Sequence, residues 1–231
     1  MNPFALVILA LVALAPGQRA IPVVAPSDGP AILGPGRYYA RDVPPLEGEW
    51  WALSKGDKGW ELRRATLEAE PIAMEGDRKG RKSGLEITVK GDEAALLLRK
   101  VPGVASFRAL TSAGNLATSG EGIQDQRATG SFGHTSFSVW SEPASLGRTR
   151  GYVVKVDLGG REDVLFINPT CEGCGWELMW AGDLDGDGKL DLLMGTTDQD
   201  DFGTLRLFLS GGAAPGRILK QVAAQRWIFG D

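Results

Sequence analysis

Between Trp176 and Met194 the chain reads WELMWAGDLDGDGKLDLLM. Apolar residues alternate on both sides of a short acidic segment, and before it the alternation puts Trp176, Leu178 and Trp180 on one face. Period-two alternation is the pattern of a half-buried strand, not of a helix. The segment between these two strands holds Asp183, Asp185, Asp187 and Asp191. Carboxylates this close repel one another, so packing alone does not account for them. Alternate aspartates can converge on one side of a tight loop. Gly188 permits the sharp turn that brings Asp191 round, and the Lys189 carbonyl can point inward. These donors are all oxygen. Hard oxygen ligands in a flexible loop suit Ca²⁺, which takes about 6–8 of them at about 2.3–2.6 Å. Zinc prefers nitrogen and sulfur.

The spacing begins like an EF-hand and then departs from it. The bidentate glutamate that closes such a loop is replaced by Met194, and the flanks read as strands where helices are required. The segment instead resembles the FG-GAP/VCBS repeat, the calcium loop of integrin-type β-propeller blades, over about Trp176 to Ser210. The resemblance includes the later LRLFLSGG strand. It implies Ca²⁺ ligands at Asp183, Asp185, Asp187 and Asp191, with Lys189 contributing its carbonyl. A propeller has typically 4–8 blades, and no second copy of the loop is present, so a full propeller is not expected. More loosely, the chain is similar to small exported bacterial proteins that join an N-terminal β region to one C-terminal segment of this kind. That similarity implies a fold and a location but no reaction.

The remainder also reads as β. Glycine is abundant, 32 of 231 residues, about twice the usual share of about 7%. It falls between short apolar runs, as turns do. Strands are predicted at Glu49 to Ser54, Leu85 to Lys90, Ala94 to Val101, Phe137 to Trp140, Tyr152 to Leu158, Asp163 to Ile167, Leu190 to Met194 and Leu205 to Leu209. Trp60 to Ile72 fits one long strand, although Leu62, Ala65 and Ala69 also fit a helical face. Val164 to Ile167 is apolar at both parities, which predicts a central strand. Thr111 to Ser131 is rich in Gly, Ser, Thr and Gln and reads as a linker or long surface loop.

The fold class expected is mainly β, sandwich-like or in two parts, with one calcium-loop unit near the C-terminus. The organisation expected is a signal peptide over 1–20, an N-terminal β region over 21–110, a linker or long loop over 111–131 and a C-terminal β region over 132–231, with the two regions either separate or sharing one core. Phe4 to Ala15 is an unbroken apolar run, too short for the roughly 20 residues of a spanning helix and suited to a secretory leader. Cleavage after Gly17 or after Ala20 fits. The mature chain is then expected in the periplasm or outside the cell, with no membrane span. A net charge of −4 argues against nucleic acid as the main partner.

Cys171 and Cys174 are the only cysteines and His134 the only histidine. Zinc therefore lacks ligands. The CEGC pair reads best as a structural disulfide in an oxidising compartment, with free thiols or a redox pair as alternatives. His134 reads as a surface residue, since no nucleophile-elbow motif accompanies it. Gly76 to Ser83 (GDRKGRKS) is a near miss to a phosphate-binding loop and reads as a solvated hairpin tip. Asp198, Asp200 and Asp201 read as a solvated loop. Trp50 and Trp51 point to opposite faces of their strand, so one of them can be exposed and stack on a sugar ring. The function expected is an exported calcium-binding structural or interaction protein with a protein or glycan partner and no evident catalytic site. The alternatives are a calcium-dependent carbohydrate-binding module and a hydrolase with an unrecognised carboxylate pair.

Overall fold

The computed structural model describes residues 29–91, 94–106, 108–119, 126–146, 149–168, 174–199 and 202–228. The expected leader lies outside them. The chain is mainly β. In order, the strands are β1 (Ala31–Leu33), β2 (Gly36–Tyr39), β3 (Trp50–Gly56), β4 (Gly59–Ala65), β5 (Leu67–Ile72), β6 (Gly84–Val89), β7 (Leu96–Arg99) and β8 (Arg108–Ala109). They continue as β9 (Gly114–Ser119), β10 (Arg127–Phe132), β11 (Thr135–Leu146), β12 (Thr149–Leu158), β13 (Arg161–Asn168), β14 (Gly175–Gly182), β15 (Asp191–Gln199), β16 (Phe202–Leu209) and β17 (Lys220–Ile228). The helical structure among the described residues is one 3₁₀ turn, Ala40–Asp42.

Four antiparallel sheets result, ordered β2-β6-β5, β1-β7-β3-β4-β8, β14-β15-β16-β17 and β13-β12-β11-β10-β9. They stack in that sequence, because three separate apolar cores lie between successive pairs. Tyr38 and Ile87 of the first sheet meet Trp50, Ala52 and Leu97 of the second. Trp51, Leu53, Leu96 and Leu98, on the other face of the second sheet, meet Trp180, Leu193, Leu205 and Leu207 of the third. The opposite face of the third sheet, with Trp176, Leu192, Met194 and Phe208, meets Val139, Tyr152, Val154 and Phe166 of the fourth. The sheets thus form a layered sandwich whose two inner sheets are covered on both faces. Among the described residues no barrel or propeller closes.

Two-sided burial explains the inner strands directly. β3 opens with Trp50, Trp51, Ala52 and Leu53, all buried, because alternate side chains enter different cores. Trp50 is 1% exposed and Trp51 7%. The expectation of an exposed tryptophan here is therefore corrected: both parities of this strand are interior.

Further expectations are corrected. Residues 111–131 are not an unstructured linker: they hold β9 and most of β10. Their polar composition has a plain cause, since β9 is an edge strand exposed along its whole length. The two β regions meet in the middle core, which draws on both halves of the chain, while each outer core lies within one half. β13 is an edge strand, not a central one. A bulge in its pairing with β12 turns both Leu165 and Phe166 inward, and leaves Val164 and Ile167 outside at 36% and 54% exposure. A second bulge, between Leu178 and Trp180, breaks the alternation of β14. Trp176 and Leu178 therefore pack in one core and Trp180 in the other. Trp60 to Ile72 is extended, but it divides at Thr66 into two strands of different sheets. The Lys90 N–H donates to the Thr66 carbonyl at 3.0 Å where the chain changes layer.

The shared middle core makes a testable demand. Leu193→Ala removes a side chain 1% exposed between the inner sheets and should cost about 2–5 kcal/mol. Unfolding followed by tryptophan fluorescence and by far-ultraviolet circular dichroism should remain one coincident transition. Separate transitions for two parts of the chain would contradict a shared core.

Candidate metal centre

The aspartate segment lies where sequence placed it, between antiparallel β14 and β15, with Gly182 and Asp191 paired at its base. Each carboxylate organises the backbone around it. Asp183 accepts from the Gly186 N–H at 2.7 Å and the Gly188 N–H at 3.1 Å. Asp185 accepts from the Asp187 N–H at 3.1 Å, and Asp187 from the Lys189 N–H at 2.9 Å. Gly186 and Gly188 have φ of +83° and +78°, a region where a side chain is strained. The result is a tight turn with acids on its inner side. One carboxylate oxygen each from Asp183, Asp185 and Asp187 lies within 4.8 Å of the others. These three residues could hold a metal ion, and their donors are all oxygen.

Asp191 is placed differently. It is fully buried. Its Oδ2 accepts from the Leu184 N–H at 2.7 Å and the Asp185 N–H at 3.3 Å. Its Oδ1 accepts from the Ser210 N–H at 2.8 Å and the Ser210 hydroxyl at 3.2 Å. It therefore closes the base of the turn and ties it to the end of β16. Burial pushes its carboxyl up to about 7, against the opposing Ser210 and Leu184 N–H groups, and the nearby Asp185 adds to the rise. Asp185 is also raised, by burial and by the charges of Asp187 and Asp183. Burial acts upward on Asp187 too. There the Lys189 N–H, the Ser210 hydroxyl and the Lys189 ammonium outweigh it and hold the carboxyl below its ordinary value.

Several contributors carry no motif. Ser210 bridges two of the acids, its hydroxyl 2.9 Å and 3.0 Å from the Asp187 oxygens as well as bonded to Asp191. It follows the LRLFL strand directly, so its place at the strand end was the one available signal. Arg108, far away in sequence, donates to the Leu184 carbonyl, and its charge opposes the rise at Asp185. Gly103, at φ +75°, lies so close that a Cβ there would meet the Asp185 backbone oxygen at 2.6 Å. The Asp183 N–H donates to the Thr111 carbonyl at 2.9 Å, and the Ala113 N–H to the Ala181 carbonyl at 2.8 Å. The acidic turn is thus clasped by Gly103, between β7 and β8, by Arg108 of β8, and by Thr111 and Ala113, which lead from β8 to the fourth sheet.

The other candidates sit apart. Cys174, just before β14, is disulfide-bonded, and Cys171 lies outside the described residues. His134 is exposed in the β10–β11 turn. Gly76 to Ser83 is a hairpin held by Asp77, which accepts from the Met74 and Ser83 N–H groups at 3.0 Å and 2.9 Å; no helix follows it. Asp200 and Asp201 lie outside the described residues. Comparison of the chain with family models, with curated proteins and with solved structures gives no match.

Asp191→Ala should be the most damaging single change in the turn. It strands buried N–H groups of Leu184 and Ser210, each worth about 1–3 kcal/mol when unpaired. Urea unfolding of the metal-free protein should show a loss of about 2–5 kcal/mol, and Ser210→Ala a smaller one. Equal stability of Asp191→Ala and the parent would show that this carboxylate does not organise the fold.

Proposed function

We propose that the chain is an exported calcium-binding structural and interaction protein, whose ion stiffens the joint between its inner layers. The observation that carries this reading is the convergence of Asp183, Asp185 and Asp187 on one point within 4.8 Å. Lys189, through its carbonyl, and Asp191 complete the proposed ligand set. Ca²⁺ accepts such an irregular all-oxygen set and fills remaining positions with water, whereas Mg²⁺ demands near-ideal octahedral geometry. The likeness of the Trp176 to Ser210 segment to an FG-GAP/VCBS repeat supports the same ion. Export rests on the apolar run Phe4 to Ala15 and fits a disulfide at Cys174.

The ion's role in this proposal is structural. When bound it cancels the mutual repulsion of the acids and fixes the turn that Gly103, Arg108 and Thr111 clasp. The sugar-binding alternative keeps its β framework but not its stacking tryptophans, because Trp50 and Trp51 are both interior. A partner protein or glycan would then be met by the surface of the folded, ion-loaded chain.

Stability should report the ion and its competition with protons. Asp191, raised to about 7 when folded against 3.8 ordinarily, binds a proton more tightly in the folded state. Its contribution to metal-free stability is therefore complete below about pH 4 and is lost as pH rises through about 7. Ca²⁺ should offset that loss. Thermal unfolding should shift upward by several degrees in Ca²⁺ relative to EGTA, more at pH 8 than at pH 5. Asp187→Ala should abolish the shift. An unchanged melting temperature at both pH values would remove the calcium reading.

A further inference from the structure

Beside the acidic turn lies a cleft of about 260 Å³ with a different character. Its polar lining is Arg161, Lys189, Arg217 and Ser210, its apolar walls include Leu158 and Leu190, and no carboxylate among the described residues lines it. Three cations thus face one small space, two of them paired with carboxylates of neighbouring elements. Arg217 is fixed in place: its Nε is 2.6 Å from Asp163 Oδ1, and its Nη2 donates to the Val164 carbonyl at 2.5 Å. Asp163 is itself anchored by the Ile218 N–H at 2.8 Å. Arg161 is exposed at the start of β13 and forms no ion pair among the described residues. Lys189 reaches Asp187 at a long 3.4 Å.

The cleft and the acidic turn share two residues. Lys189 and Ser210 line the cleft and also bond Asp187. We propose that the cleft binds a compact oxyanion, a carboxylate or sulfate group, and that it does so when the turn holds Ca²⁺. The inference rests on the calcium reading above. Without the ion, the carboxylates of the turn oppose an incoming anion and Asp187 occupies both Lys189 and Ser210. With it, Asp187 turns to the metal, the Lys189 ammonium and the Ser210 hydroxyl become available to the cleft, and a double positive charge stands behind them. Small-molecule sites span about 300–1,000 Å³, so this cleft takes one charged group on a short body and no extended ligand. Coupling of this kind is reciprocal: the anion should tighten Ca²⁺ by the same factor.

Calorimetric titration of the full chain with sodium sulfate and with D-galacturonate, in Ca²⁺ and in EGTA, tests this directly. A Ca²⁺ titration of the same preparations without anion reads the metal site alone. Binding of either probe to the Ca²⁺ form, about tenfold or more tighter than in EGTA, is the expected result. Galacturonate exceeding sulfate would assign the oxyanion to a sugar acid, and the reverse to a free or esterified sulfate. Arg161→Gln should remove most of the anion affinity while leaving the anion-free Ca²⁺ titration unchanged. Lys58→Gln, in the exposed β3–β4 turn, should change neither. Equal anion binding in Ca²⁺ and EGTA, no binding to the Ca²⁺ form, or full retention by Arg161→Gln would overturn the inference with the calcium site intact. A flat Ca²⁺ titration would overturn the calcium reading and this inference with it.

Discussion

Burial of the two middle sheets on both faces is the constraint from which the rest of the structure follows. A strand with one wet face can alternate apolar and polar residues, but a strand between two cores must be apolar at nearly every position. β3 and β7 meet that demand with Trp50 to Leu53 and Leu96 to Leu98, and β15 with Leu192 to Met194. These strands come from distant parts of the chain, and the middle core is complete only when both halves contribute, whereas each outer core is drawn from one half. The outer sheets then need only one apolar face, which is why β9 to β11 can carry so much serine, threonine and glycine.

The acidic turn occupies a point where that layered arrangement is tied together. It emerges from the third sheet and is gripped by Gly103 and Arg108 at the edge of the second sheet and by Thr111 on the way to the fourth. Asp191 and Ser210 lock it to β15 and β16 from below. Carboxylates gathered at such a joint are destabilising when bare, because burial and mutual repulsion both act on them. In the function proposed, a divalent cation would neutralise this gathering and make it a source of rigidity, linking stability to ion occupancy through the position of the turn as much as through its ligands.

Local features were readable from sequence wherever the cause was local. The β class, the strand–turn–strand placement of Asp183 to Asp191 and the β6 alternation at Leu85, Ile87 and Val89 all follow from spacing. What was hidden depended on long-range packing. Polar residues 111–131 looked like a linker because an exposed edge strand has the same composition. The apolar run Val164 to Ile167 looked central because a bulge, invisible in sequence, turns two of its residues outward. The reach of Arg108 to Leu184 joins distant positions with no motif. Asp191 was visible as an acid in the pattern, but its full burial and four hydrogen-bond contacts depend on Ser210 arriving from another strand.

Amide hydrogen exchange, compared between the Ca²⁺-loaded and EGTA-treated chain, tests the central claim most directly. If the ion stiffens the joint, exchange should slow in the turn at 183–190 and also in residues 103–113, which clasp it from the other half of the chain. Protection confined to 183–190, or none at all, would contradict the account of the acidic turn as a calcium-dependent joint between layers.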